Sequence, residues 1–110
     1  MDWWQKGVMM ASFSKVFHHG LGQEEAVRRI RERIAIEKKN RANVANVTRE
    51  VWDPFNVLDF SMIVFKFRID GTLQIEDNTM ELTLKLPLGS NVFAGMIEDQ
   101  ITQQINALLS

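Results

Sequence analysis

His18 and His19 are adjacent, and two imidazoles side by side suggest a metal site. Neighbours on an extended strand point to opposite faces, so this pair cannot chelate one ion together. The chain has no further histidine and no cysteine to complete a ligand set, to form a disulfide or to act as a thiol nucleophile. A strand-end histidine bonding to backbone is the simpler reading. Among the acids, Asp59 stands out because it lies between Leu58 and Phe60. A catalytic carboxylate there competes with a solvated carboxylate at a sheet edge, and the second needs fewer assumptions. No phosphate-cradling loop, dinucleotide fingerprint, zinc-protease motif or nucleophile elbow occurs, and no serine has an evident base partner. The reading is a non-enzyme, with no catalytic residue, metal ligand or cofactor site assigned.

Contact chemistry is better represented than bond-making chemistry. Trp3 and Trp4 sit together near the start, where they could form an amphipathic foot on an apolar surface. From Arg28 to Arg41 there are seven Lys or Arg against two Glu. Arg28, Arg29 and Arg33 are the candidates for a basic contact surface. A solvated helix face is the plainer alternative, since cations suit a helix C-terminus and no aromatic residues interleave with them. Nucleic acid has no strong case, with a net charge of −1 over 110 residues. Phe65, Phe67, Leu82 and Phe93 are candidates to line a cavity for an apolar or acyl ligand, against the simpler reading as core.

The elements that must position these residues follow from periodicity. Ile63, Phe65, Phe67, Ile69, Leu73 and Ile75 alternate with polar residues, and Met80, Leu82, Leu84 and Leu86 resume the pattern. Alternation of this length predicts antiparallel strands with one wet face. A two-residue turn at Asp77-Asn78 pairs Ile75 with Met80 and Leu73 with Leu82, whereas a turn at Asp70-Gly71 would mix apolar with polar residues. The turn is therefore expected at Asp77-Asn78. Gly71 then falls opposite Leu84; an interior glycine marks a bulge, a sharp bend or a close approach, and a bend is expected here because so long a strand must coil. On this pattern a strand from Ile63 to Glu76 would run roughly 45 Å.

Upstream, a strand is expected from about Met9 to His18, with Phe13 and Phe17 on one side. A helix follows from Gln23 to about Lys39, with Ala26, Val27, Ile30 and Ile34 as its stripe and Glu24–Arg28 and Glu25–Arg29 as i, i+4 pairs. A strand from about Val44 to Trp52 carries Val47 and Val51 on one face, and Asp53-Pro54 turns the chain. Leu58, Phe60 and Met62 point inward, out of phase with Ile63 onward. The phase change requires a bulge or a short turn near Ser61 to Val64, and either one kinked strand or two strands satisfies it. After Pro87, Ser90 or Asn91 caps a last helix, Val92 to Leu109, with Phe93, Met96, Ile97, Ile101, Ile105 and Leu108 inward.

The expected fold is α+β, an antiparallel sheet of four or five strands with two helices on one face. Residues 1–8 form a tail and residues 9–110 a single domain. No apolar run approaches the ~18 residues of a membrane span, and the start does not read as a signal peptide, which suits the cytoplasm.

The order of short motifs carries a resemblance. His19-Gly20-Leu21-Gly22 running through Ala26 opens a helix; Trp52 precedes Leu58-Asp59-Phe60; Gly71-Thr72-Leu73-Gln74-Ile75-Glu76-Asp77 makes a strand and turn; Leu86-Pro87, Gly95-Met96-Ile97-Glu98 and Leu108-Leu109 close the chain. In this order they resemble the polyhydroxyalkanoic acid system family, small bacterial proteins tied to polyhydroxyalkanoate granules, over about Phe13 to Leu109. The resemblance implies a cytoplasmic bacterial protein that associates with or regulates storage-polymer granules, with a granule or a granule protein as partner. It carries no catalytic residues to transfer. The element order is also similar to a reduced helix-grip fold, in which a curved sheet wraps a C-terminal helix around an apolar ligand. That likeness supplies the alternative function, an apolar or acyl ligand held between sheet and helix.

Overall fold

Ile75 faces Met80, Leu73 faces Leu82 and Gly71 faces Leu84 across a two-residue turn at Asp77-Asn78, closed by the Glu76 N–H donating to the Thr79 carbonyl at 2.9 Å. This is the register that matches apolar residues on one face, and the computed structural model confirms it. It describes residues 10–39, 45–87 and 93–110. The elements are β1 (Met10–His18), α1 (Gln23–Lys39), β2 (Ala45–Trp52), β3 (Val57–Val64), β4 (Phe67–Ile75), β5 (Thr79–Pro87) and α2 (Ala94–Leu109). The five strands form one antiparallel sheet in the order β1-β5-β4-β3-β2. Together with the two helices they make the expected α+β fold. Ala26, Ile30 and Ile34 from α1 and Ile97, Ile101 and Ile105 from α2 are buried in one core with the inner face of the sheet.

The phase change before Ile63 has a definite cause. Val64 faces Phe67 across a turn at Phe65-Lys66, so the inward residues switch from even numbers in β3 to odd numbers in β4. The continuous strand expected from Ile63 to Glu76 therefore does not exist. Ile63 faces Arg68 on the outer side, and Phe65 lies in the turn with φ of 59°. Sequence inspection misses this turn because Val64-Phe65-Lys66-Phe67 has none of the Gly, Asn, Asp or Pro that usually mark one.

A second correction concerns β2. Val47 faces Met62 and Arg49 faces Ser61, so one extra residue, Thr48, bulges between them. Beyond the bulge the phase inverts. Trp52 takes the inner side opposite Leu58, and Val51 is 50% exposed rather than sharing a face with Val47.

At Gly71, where a bend is expected, the structure shows a close approach. A Cβ there would lie 2.6 Å from Phe60 Cζ and 2.9 Å from the Thr83 carbonyl oxygen, so no side chain fits without displacing backbone. At the β1 edge, Lys15 takes the inner-face position between Phe13 and Phe17 and holds its ammonium 5.4 Å from the Phe17 ring centroid. An inward-facing charge on an edge strand obstructs pairing with a further strand.

The last helix starts later than the sequence suggests. Its N-cap is Phe93, with no side-chain cap bond; Ser90, Asn91 and Val92 lie outside the described residues. Phe93 and Met96 do not join the buried stripe. They are 37% and 54% exposed, while Ile97, Ile101 and Ile105 are buried.

Candidate functional site

Three places could serve function: the arginines of α1, the space between the helices and the sheet, and the aromatic end formed by the β3–β4 turn and the start of α2.

The arginines of α1 are engaged within the fold. Arg28 donates from Nε and Nη2 to the two carboxylate oxygens of Glu25 at 2.9 and 2.8 Å, and from Nη1 to Glu32 Oε2 at 2.7 Å. The expected Glu24–Arg28 pair is replaced by this i, i+3 fork. Hydrogen bonds from Arg28 and Arg29 hold the Glu25 carboxyl down at about 2, and Glu25 in turn raises the Arg28 guanidinium. Arg29 makes the expected bond to Glu25 at 2.8 Å. Its Nη1 also donates to the Leu108 carbonyl at 2.8 Å and the Ser110 carbonyl at 3.2 Å, which satisfies open acceptors at the end of α2. Arg33 donates to Gln104 Oε1 at 2.6 Å and pairs with Glu37 at 3.0 Å. Arg31 stacks on Trp52 at 4.3 Å, and Lys38 pairs with Glu50 at 3.1 Å. Arg29 and Arg33 thus join α1 to α2.

Asp59 receives a bidentate pair of bonds from Arg49, both 3.1 Å, which holds its carboxyl below the usual carboxylate range. An acid held ionised in this way is a poor proton donor. His19 is buried, with Nδ1 accepting from the Leu21 N–H at 3.3 Å. The proton must therefore sit on Nε2, which donates to the Thr79 carbonyl at 3.2 Å. Both ring nitrogens bond to backbone, as the strand-end reading expects. Among the described residues, no group of three or more His, Asp or Glu is placed to hold a metal ion.

Between the helices and the sheet lies an apolar groove of about 100 Å³, with Leu58, Phe60, Leu73 and Leu82 among its sheet residues and Ile34, Ile101 and Ile105 among its helical ones. Ligand pockets start at roughly 300 Å³. Of the four residues proposed to line an acyl cavity, Leu82 lines this groove. The other three gather elsewhere, because the Phe65-Lys66 turn puts Phe65 and Phe67 at the end of the sheet and Phe93, at the start of α2, packs against them. The Phe93 ring lies 5.6 Å from Phe67 and 6.4 Å from Phe65, centroid to centroid, both tilted.

This aromatic end is the feature that sequence reasoning missed. Phe65 is 43% exposed and Lys66 places its ammonium 6.0 Å from the Phe67 ring centroid. The available signal was the parity switch itself, since apolar residues at even positions to Val64 and odd positions from Phe67 fit a two-residue turn between them, although a bulge satisfies the same switch. Trp3 and Trp4 lie outside the described residues. The segment bearing them joins β1 at Met10, which faces Pro87.

A family described as "Putative polyhydroxyalkanoic acid system protein" matches residues 17–109. No curated protein and no solved structure matches the chain. Among the described residues, no helix is long and apolar enough to cross a membrane.

Proposed function

The chain belongs to the polyhydroxyalkanoic acid system family, and from that premise we propose that it is a non-enzymatic protein that associates with polyhydroxyalkanoate storage granules in the bacterial cytoplasm. The observation carrying the proposal is the family match, which spans both helices, β2 to β5 and the last two residues of β1. The structure adds support of a different kind. The carboxylate and histidine best placed for chemistry, Asp59 and His19, are engaged by Arg49 and by backbone. Apolar side chains, by contrast, stand exposed at the surface, Phe55, Phe65, Phe93 and Met96 among them. A granule binder needs such a surface, because a storage polymer offers mainly apolar area to bury. Trp3 and Trp4 belong to the same proposal as a second contact, and a granule protein is the partner if the polymer is not.

Sedimentation of native granules tests this. The full chain should pellet with granules purified from a polymer-accumulating bacterium and stay in solution without them. Full-length protein left in the supernatant with native granules present would remove direct association. Loss of pelleting on deleting residues 1–8 alone would place the contact at Trp3 and Trp4.

A further inference from the structure

Phe65 combines two features that folding normally avoids. It is a bulky side chain at φ of 59°, a conformation that favours Gly, Asn or Asp, and it exposes an aromatic ring at the tip of a hairpin. Asn or Gly would remove both penalties. Beside it, Phe93 and Met96 expose apolar side chains on the first turn of α2, and Phe93 packs against both Phe65 and Phe67. The rings and the thioether make one apolar tip without a ring nitrogen or hydroxyl, unlike the Trp and Tyr that favour a headgroup layer. Lys66 lies beside it, its ammonium 6.0 Å from the Phe67 ring centroid, while Arg68 faces the outer side of the sheet with a 3.5 Å contact to Asp70. Both side chains are hydrogen-bond donors with no acceptor.

We infer that this tip, Phe65, Phe93 and Met96 with Lys66 beside them, is the face that seats on the bare polyester of the granule. The inference rests on the granule reading above and adds the contact surface to it. A polyester presents alkyl groups and ester carbonyls, which accept hydrogen bonds and donate none. Its chemistry complements apolar side chains with the donor-only ammonium of Lys66 beside them. Met10 faces Pro87 at the end of the sheet where β4 begins and β3 finishes, so the segment bearing Trp3 and Trp4, which lies outside the described residues, is attached at that end. The arginines of α1, the other candidate surface, are bound to Glu25, Glu32, Gln104 and the last carbonyls of α2.

The test is depletion of the full chain by detergent-washed, protein-free polyhydroxybutyrate particles, compared with phosphatidylglycerol–phosphatidylcholine vesicles and native granules. The variants are Phe65→Asn and Phe65→Asn with Met96→Gln, and thermal melts confirm that each folds. The inference expects the wild type to bind the bare particles in preference to vesicles. It expects the double variant to need at least about tenfold more particle surface for half-depletion, with the single variant in between. Folded variants that bind bare particles like the wild type would overturn the tip while leaving granule association intact. Binding to native granules but not to bare particles would overturn the polyester contact in favour of a coat protein. Preference for the vesicles would overturn it in favour of lipid. Binding to none of the three would overturn the granule reading itself.

Discussion

Phe65, Gly71 and Glu25 show how single side chains report on the fold. A methyl group at Gly71 would enter the space of the Phe60 ring and of the Thr83 backbone carbonyl. The ring can shift, but a carbonyl in the β4–β5 ladder cannot move without breaking its pairing. Gly71→Ala should therefore cost about 1–3 kcal/mol in urea unfolding; a neutral result would mean that β4 and β5 separate more easily than their register implies. At Phe65 the opposite sign is expected. Asn tolerates the left-handed backbone, so Phe65→Asn should leave stability unchanged or raise it by up to about 1 kcal/mol. A loss greater than that would show the ring to be structural. Glu25 supplies a pH signature. Its folded value of about 2 lies below the ordinary 4.5, so its contribution is fully present above about 4.5 and is lost as the pH falls toward 2. Glu25→Gln should flatten the fall in stability across that window, read by thermal melts from pH 5 to pH 2. An unchanged slope would mean that Arg28 and Arg29 do not hold the carboxylate in solution.

At the scale of elements, the helices meet through polar side chains as much as through the shared core. Arg29 donates to Glu25, whose carboxylate it shares with Arg28, and to the carbonyls of Leu108 and Ser110, so it holds the end of α2 against α1. Arg29→Met should cost about 1–2 kcal/mol and speed amide exchange in the last turn of α2, leaving β4 and β5 unchanged. Uniform acceleration through the sheet would refute the local role. The strands show what a sequence can and cannot disclose. Alternation with its phase located the Asp77-Asn78 turn and the position of Gly71, because apolar matching admits one register there. The same method produced a false strand through Phe65, since a turn built from Phe and Lys keeps the apolar spacing while reversing the chain. Thr48 misled it in a similar way, with a bulge that turns Val51 outward. On the helices, spacing identified Ile97, Ile101 and Ile105 as core but could not separate them from Phe93 and Met96. The first turn of α2 lies at the sheet end, where there is less strand left to cover it. The arginines read as surface charge because their partners, Gln104 and the carbonyl of Leu108, are more than seventy residues away in sequence.

For the whole molecule, Phe65, Phe93 and Met96 gather exposed apolar surface at the β3–β4 end of the sheet, Phe55 stands exposed in the β2–β3 turn at the other, and Arg28, Arg29 and Arg33 of α1 are held in ion pairs and hydrogen bonds within the fold. The groove of about 100 Å³ between helices and sheet is a third of the roughly 300 Å³ at which ligand pockets begin, so surface contact offers more than enclosure does. The central claim is that the chain meets a granule through the β3–β4 turn and the start of α2. Hydrogen exchange of the full chain bound to native granules, against the free chain, tests it most directly. Contact should slow exchange at the amides of Phe65, Lys66, Phe93 and Met96 relative to those of α1. Slowing confined to α1 or to the outer face of the sheet, with those four amides unchanged, would contradict it.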